Sequence, residues 1–231
     1  DGTLDTYAEK VNEIEVGGGG SYEQGYKDGK NAEYDAFWDT LQDYGSRTSY
    51  NYAFCGPGWT DENFKPKYPI VMPGKSYNMF DSSKVSYIDE SLVDCSKASY
   101  IQYFLSNNAS KKPMTVIMDI ASCTTLSSTF IYSSNLANLE LKNIREDCVF
   151  VSAFGGCKIV NFRCTGTIGS SLNIYAAVDL TVESAQNFID HLKDLTGQET
   201  KTWTINKSID AKLSPEQKAT VTAKNWTLVI P

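Results

Sequence analysis

The sequence contains one histidine, His191, and no two cysteines at the Cys-x-x-Cys spacing. A metal site with two histidine ligands and a zinc ribbon are therefore excluded. The glycine-rich phosphate-binding motifs and the Gly-x-Ser-x-Gly motif of hydrolases are also missing. We therefore predict a chain without a metal ion, without a cofactor and without catalytic residues.

Long apolar runs and clusters of basic residues are missing as well. The longest apolar stretches, at 148–154 and 227–231, are far shorter than the roughly 20 residues that cross a bilayer as a helix. The formal net charge is -7, and no group of lysines and arginines is dense enough to neutralise a phosphate backbone. The sequence thus predicts neither a membrane-spanning segment nor a nucleic-acid partner.

Acidic pairs are the remaining candidates for enzyme chemistry. They are Asp35 with Asp39, Asp61 with Glu62, and Asp89 with Glu90. A glycosidase needs one carboxyl group of raised pKa beside one of low pKa, and no motif around these pairs indicates such a pocket. We interpret the pairs as solvated acidic faces, with a glycosidase in the aromatic block around Trp59 and Asp61 as the alternative. We interpret His191 as a partly exposed helix residue, with a general base as the alternative.

The cysteines are spaced like a repeat. Cys95, Cys123 and Cys148 follow one another at similar intervals, and a cysteine that recurs at one point of a repeated unit packs as a small buried hydrophobe. We therefore expect reduced thiols in the core. The alternative is a disulfide, for which Cys157 and Cys164 are the first candidates.

Short apolar segments recur at a nearly constant interval after residue 76. They predict strands at 85–88, 116–120, 138–141, 160–164, 180–182, 203–205 and 226–230. The marker positions 116, 138, 160, 180, 203 and 227 are spaced by about 22 residues, a typical length for a solenoid repeat. In a second series, Phe80, Phe104, Phe130 and Phe154 are spaced by about 25 residues. Such periods are typical of a solenoid in which each unit adds one parallel strand and a return segment.

The predicted fold class is α/β, a leucine-rich-repeat solenoid with a parallel β-sheet and with irregular and helical return segments. We divide the chain into an amphipathic segment at 1–16, a glycine linker at 17–21, a helix plus an aromatic cap at 22–75, and the solenoid with its C-terminal cap at 76–231. We expect the helix at 22–44 to dock onto the following domain, with a short coiled coil as the alternative.

The C-terminal return segments are predicted to be helical, at 183–196 and 214–224. The second begins with a capping-box pattern, in which Ser214 is the N-cap, Pro215 follows it and Gln217 stands three residues after the serine. A final strand at 226–230 closes the edge of the sheet, and Pro231 opposes further pairing.

The repeats and the segment before them resemble a known family. Residues 120–130, Ile-Ala-Ser-Cys-Thr-Thr-Leu-Ser-Ser-Thr-Phe, are similar to the strand, turn and aromatic return of bacterial surface-type, BspA-like leucine-rich repeat proteins of gut Firmicutes and their prophages. Residues 32–70 resemble the segment that precedes such repeats, and residues 1–14 resemble a segment of phage-derived chains. The resemblance implies a location at the cell surface or outside the cell, with a phage virion as the alternative.

Alternation along the predicted strands indicates which side chains face the solvent. If Leu139 and Leu141 point into the core, their neighbours on the strand point outward. The same reasoning on the other strands predicts a concave binding face of Asn138, Glu140, Asn161, Arg163, Asp179, Thr181, Thr202 and Thr204. The alternative is an ordinary solvated sheet face, in which Glu140 and Arg163 pair across neighbouring strands.

The sequence therefore predicts a non-enzymatic interaction module that binds a protein or a glycan on a host or bacterial surface through this face. The second hypothesis is a structural or assembly protein that forms a homo-oligomer through its N-terminal helix. The third is the carboxylate-based glycosidase.

Overall fold

The computed structural model describes residues 51–72 and 74–231. The predicted amphipathic segment, the glycine linker and the helix at 22–44 lie outside the described residues. Within the described part, the chain is a mixed α/β structure with mostly parallel strands in several sheets and few helices. No helix in this part is both long and apolar enough to cross a membrane.

The described residues form twelve strands and three helices. The strands are β1 (Ile70–Val71), β2 (Lys75–Tyr77), β3 (Tyr87–Ile88), β4 (Val93–Asp94), β5 (Tyr100–Gln102), β6 (Met114–Asp119), β7 (Thr125–Ser127), β8 (Leu136–Ile144), β9 (Asn161–Gly166), β10 (Leu172–Asn173), β11 (Lys201–Thr204) and β12 (Trp226–Val229). The helices are α1 (Val182–His191), α2 (Lys207–Asp210) and α3 (Pro215–Ala223).

All strand pairs of the described residues are parallel, and the largest sheet has the order β3-β6-β8-β9. Its register places Val116 beside Leu139 and Leu139 beside Phe162. These residues are buried, and the residues next to them on each strand are at least partly exposed. Because side chains alternate between the faces of a strand, one face of this sheet covers the core and the other faces solvent.

The register corrects the marker positions taken from the sequence. Val116 pairs with Leu139 and not with Asn138, and the next partner is Phe162 and not Val160. The predicted strand at 180–182 is wrong, because Thr181 is the N-cap of helix α1 and Val182 is its first residue. A short apolar run does not by itself distinguish a buried strand from the start of a helix.

Five turns of the described residues share one backbone pattern. Two residues with positive φ lie four positions apart in each of them: Tyr52 and Gly56, Asn78 and Ser82, Tyr103 and Asn107, Ser128 and Tyr132, and Ser152 and Gly156. A core residue lies between them, and in the first four turns its backbone N–H donates to the next turn. Phe80 donates to the carbonyl oxygen of Phe104 and Leu105 to that of Thr129, each at 2.8 Å. Each turn of the series is thereby joined directly to the next one along the chain.

The same hydrogen bonds correct the aromatic series. The backbone register aligns Phe80 with Leu105 and Leu105 with Phe130, so Phe104 lies one residue before the repeat position. Both Phe104 and Leu105 are buried, and the ring of Phe104 packs edge-on against Phe80 at 5.2 Å. The periodicity therefore indicated the right spacing but the wrong residue of an apolar pair.

Helix α1 lies against β9, where a further strand of the large sheet would otherwise pair. Ser184 Oγ accepts the backbone N–H of Phe162 at 2.9 Å, and Asn187 Oδ1 accepts that of Cys164 at 2.8 Å. These two side chains occupy hydrogen-bonding groups that an edge strand would offer to another chain. The helix therefore closes this edge of the sheet.

The predictions of the last helix and the last strand are confirmed, and that of the preceding helix is confirmed in part. Helix α3 begins at Pro215 after the N-cap Ser214, and Ser214 and Gln217 form both hydrogen bonds of a capping box. Strand β12 falls within the predicted 226–230 and pairs with β11. Helix α1 was predicted at 183–196 and ends earlier, at His191.

The six cysteines are free thiols, five of them buried. Cys157 does not pair with Cys164 and donates instead to the carbonyl oxygen of Phe130, at 2.8 Å. Burial raises the pKa of both Cys157 and Cys164 to about 12. These thiols therefore stay protonated at neutral pH and act as core residues.

The part of the predicted aromatic cap that the structure describes packs into the core. Phe54 packs against Trp59, Phe64 and Phe80, with ring centroids 5.1, 5.1 and 5.2 Å apart. Phe54 and Phe64 are buried, and Trp59 is partly buried against the core. This segment thus adds its aromatic rings to the core that the strands enclose.

Candidate binding groove

A groove lies on the solvent-facing side of β6, β8 and β9, with helix α1 as one wall. Its cavity volume is about 590 Å³. The sheet contributes the outward-facing side chains of each strand, and the wall contributes the first two turns of the helix. Clefts of roughly 300 to 1,000 Å³ are the usual size for small-ligand sites.

Three polar side chains on neighbouring strands form a hydrogen-bonded row across the groove. Asn161 Nδ2 donates to Asn138 Oδ1 at 2.8 Å, and Asn138 Nδ2 donates to Thr115 Oγ1 at 3.0 Å. These bonds fix the orientation of both amides. The row therefore presents a prearranged polar surface to a ligand.

The second row of the groove carries opposite charges. The register places Glu140 directly beside Arg163, with Ile117 on the other side of Glu140. No ion pair within 4.0 Å involves Glu140 or Arg163 among residues 51–72 and 74–231. The cross-strand ion pair that the sequence left open is therefore not formed, and both groups keep hydrogen-bonding capacity for a ligand.

An N-cap residue fixes where helix α1, the wall of the groove, begins. The side chain of Thr181 accepts the backbone N–H of Ser184 at 3.2 Å, and this N-cap sets where α1 begins. Glu183 follows in the first turn, lines the groove and is exposed. Ser184 and Asn187 attach the same face of the helix to β9, so the wall and the floor are held together.

The structure brings five of the eight predicted site residues together. Asn138, Glu140, Asn161 and Arg163 lie on the floor, and Thr181 lies in the wall. Asp179 is exposed just before the helix and does not line the groove. Thr202 and Thr204 belong to β11, in the separate sheet β10-β11-β12.

Besides the buried residues Val116, Leu139, Phe162 and Ser184, four partly or fully exposed lining residues were missed by sequence reasoning. They are Thr115, Ile117, Glu183 and Asn187. The alternation argument applied to β6 would have indicated Thr115 and Ile117, since Val116 between them is buried. The strand pattern could not indicate Glu183 and Asn187, because both lie on the helix predicted at 183–196, and no local pattern shows that this helix borders the sheet.

Tyr87 continues the polar row on the next strand. It stands beside Thr115 in the register of β3 and β6, and 46% of its surface is exposed. Its hydroxyl donates to Asp89 Oδ2 at 2.8 Å, and this hydrogen bond raises the pKa of the Tyr87 phenol. The ring is thus held in one orientation on the same face as the groove.

Of the acidic pairs that the structure describes, Asp61, Asp89 and Glu90 make structural contacts, and Glu62 is exposed. Both oxygens of Asp61 accept hydrogen bonds from Ser86, through its N–H and its hydroxyl, each at 2.6 Å. Glu90 pairs with Lys142 at 3.0 Å. Asp35 and Asp39 lie outside the described residues.

The single histidine also makes a structural contact. His191 Nδ1 lies 2.8 Å from the carbonyl oxygen of Asn187, one turn earlier in α1. Among the described residues no group of three or more His, Cys, Asp or Glu side chains could hold a metal ion.

Asp61 accepts hydrogen bonds from Ser86 and Lys112, and its shifted pKa predicts how the stability of the protein depends on pH. Partial burial raises the pKa of its carboxyl group, but hydrogen bonds from Ser86 and Lys112 lower it more, so that the pKa lies below its ordinary value. A depressed folded-state pKa contributes stability that is present above the unfolded-state pKa of about 3.9 and is lost as the pH falls below it. We expect the melting temperature of Asp61→Asn to fall less steeply than that of the wild type between about pH 5 and pH 2.5.

The control for this experiment is Asp179→Asn, which changes an exposed carboxylate that has no ion pair within the described part of the chain. Melting curves of the three proteins over the same pH series are compared. Parallel curves for the wild type and Asp61→Asn would contradict the assignment.

Comparison of the chain with protein-family models, with curated proteins and with solved structures finds no match.

Proposed function

We propose that this protein is a leucine-rich-repeat solenoid of the BspA-like type and a non-enzymatic interaction module. Its partner is a protein or a glycan on a host or bacterial surface, and the groove on the large sheet is the binding surface. The protein acts at the cell surface or outside the cell, with a phage virion as the alternative location.

Two observations support the solenoid. The paired positive-φ positions recur at a nearly constant interval over five turns, and each turn donates hydrogen bonds to the next. The strands of the large sheet pair in parallel register, and each lies about one repeat length after its neighbour in the chain. Each unit therefore buries its apolar side against its neighbours in sequence, as repeat architectures do.

The observation that carries the binding function is the unused polar capacity of the groove. Glu140, Arg163 and Glu183 line one concavity, and the ion pairs of the described residues do not include them. Elsewhere on the surface such charges pair readily, as Lys142 does with Glu90 and Arg145 with Asp147. Charged side chains without an ion pair, next to amides held in one orientation, are typical of a surface whose ion-pair and hydrogen-bond partners belong to another molecule.

A mutational test measures binding of the fluorescently labelled full chain to intact bacterial and intact epithelial cells. We expect saturable binding to one cell type, reduced about tenfold or more by Asn161→Ala with Arg163→Ala. The control pair is Gln198→Ala with Lys158→Ala, which also removes one exposed amide and one exposed cation but lies outside the groove. Equal loss in both double variants, or no saturable binding by the wild type, would contradict the proposal.

The location is tested separately, with an antibody against residues 76–231. The source bacterium is fractionated into cytosol, envelope, medium and particles released after prophage induction. We expect signal on the envelope or in the medium. Signal confined to particles would establish the virion alternative, and signal confined to the cytosol would contradict both locations.

A further inference from the structure

We propose that the ligand of the groove is an uncharged oligosaccharide that lies across the strands, with one sugar ring stacked on Tyr87. This inference rests on the proposed function and specifies the partner of the same site. The row Tyr87, Thr115, Asn138 and Asn161 follows the strand register over three strand spacings, which is about 14 Å. It joins an aromatic ring to fixed amides along one line.

Tyr87 is suited to stack on a sugar ring. Its hydroxyl is held by Asp89, and nearly half of its surface is open to solvent. The aromatic side chain that lines the groove itself, Phe162, is 2% exposed and belongs to the core. A held ring loses little conformational freedom when a ligand covers it, which favours binding.

The groove offers donors and acceptors side by side. The carboxylate of Glu140 accepts hydrogen bonds, the guanidinium of Arg163 donates up to five, and each amide of Asn138 and Asn161 does both. A sugar hydroxyl also donates and accepts, so neighbouring hydroxyls can satisfy these groups together. A ligand with one kind of hydrogen-bonding group would leave some of them desolvated and unpaired, at a cost of about 1 to 3 kcal/mol for each buried group.

The charges disfavour an anionic ligand. Glu140 and Glu183 line the groove, and Asp89 lies beside Tyr87 at its end. Arg163 is the one cation of the lining among the described residues. An anionic ligand would meet two carboxylates against one guanidinium, whereas a neutral ligand can donate to the carboxylates and accept from Arg163 without net repulsion.

The common ways of binding a peptide each need a feature that the described groove does not have. Strand addition needs a free sheet edge, but Ser184 and Asn187 occupy hydrogen-bonding groups of β9. An amphipathic helix needs an apolar groove, and the floor here carries two asparagines, Glu140 and Arg163. A phosphorylated peptide needs a cluster of arginines, and this lining has one.

The experiment probes the full chain on a printed array of uncharged and acidic oligosaccharides, followed by calorimetry with the uncharged oligosaccharide that binds best. We expect an uncharged oligosaccharide to bind, and Tyr87→Ala to weaken its affinity by about tenfold. Asn161→Ala weakens it as well. Tyr175→Ala is the matched control, because Tyr175 is 44% exposed and lies outside the groove, and its affinity stays within about twofold of the wild type.

Three outcomes overturn the inference. They are the absence of binding to every uncharged oligosaccharide, binding to acidic ones alone, and equal effects of Tyr87→Ala and Tyr175→Ala. Whether the proposed function fails too is decided by the cell-binding test with the Asn161 and Arg163 double variant. Cell binding that depends on the groove but resists periodate oxidation of the cell-surface sugars would identify a protein partner instead, and the proposed function would stand.

Discussion

Replacement of Phe188 by alanine lowers the free energy of unfolding by about 4 kcal/mol, within the range for a large aromatic side chain removed from a core. Phe188 is 1% exposed and stacks on Phe162, with ring centroids 3.8 Å apart. The centroid of its ring also lies 5.4 Å from that of Trp203. It therefore joins helix α1 to β9 and to β11, and the alanine variant leaves a cavity between three elements.

Thermal and urea denaturation of the full chain measure this effect. For a chain of this size, 4 kcal/mol corresponds to a fall in melting temperature of about 8 to 16 °C. Val182→Ala is the control, since Val182 is an exposed apolar residue of the same helix, and it changes the stability by about 0.5 kcal/mol or less. A loss below about 1 kcal/mol for Phe188→Ala would contradict the packing described here.

Gly166→Ala destabilises the protein by about 4 kcal/mol, through backbone strain and overpacking together. Gly166 has a φ of +92°, a conformation that residues with a Cβ atom rarely adopt. An added Cβ would lie 2.2 Å from the carbonyl oxygen of Ile144. This oxygen belongs to the backbone of the neighbouring strand, so it cannot move without breaking the register of β8 and β9.

Gly56→Ala separates the two causes. Gly56 has nearly the same φ, +97°, but an added Cβ would meet nothing within 4 Å. The Gly56→Ala variant therefore has a strained backbone without a steric clash, and we expect its free energy of unfolding to fall by about 2 kcal/mol. Chemical denaturation of both variants gives the difference. Equal losses at the two glycines would show that the close approach to Ile144 has no energetic consequence.

The spacing of the repeat was readable from the sequence, and its register was not. Buried residues occur in adjacent pairs, such as Phe104 with Leu105, and a hydrophobicity pattern gives no reason to prefer one member. Which member of the pair occupies the repeat position depends on the backbone of the turn, which has positive φ values at residues such as Asn78, Tyr103 and Ser128. Most of these residues are asparagine, serine or tyrosine and not glycine, so the composition of the turns gave only a weak signal.

The floor of the groove was predicted from the strand pattern, whereas the helix of its wall was predicted without its position beside the sheet. Asn138, Glu140, Asn161 and Arg163 follow from alternation around buried Leu139 and Phe162, which is a local property of each strand. Helix α1 was expected at 183–196, but its attachment to β9 through Ser184 and Asn187 is a tertiary contact that no local pattern shows. The prediction of a strand at 180–182 also extended the binding face as far as Thr202 and Thr204, which belong to another sheet.

The central claim is that partners bind in the groove, and arginine footprinting tests it without knowledge of the ligand. The chain has three arginines. Of the two that the structure describes, Arg163 lines the groove and Arg145 pairs with Asp147 outside it. The full chain is treated with phenylglyoxal, free in solution and bound to the cells that it recognises, and the modified peptides are quantified by mass spectrometry. The account predicts that binding protects Arg163 and leaves the modification of Arg145 unchanged. Equal modification of Arg163 in the free and the cell-bound chain would contradict it.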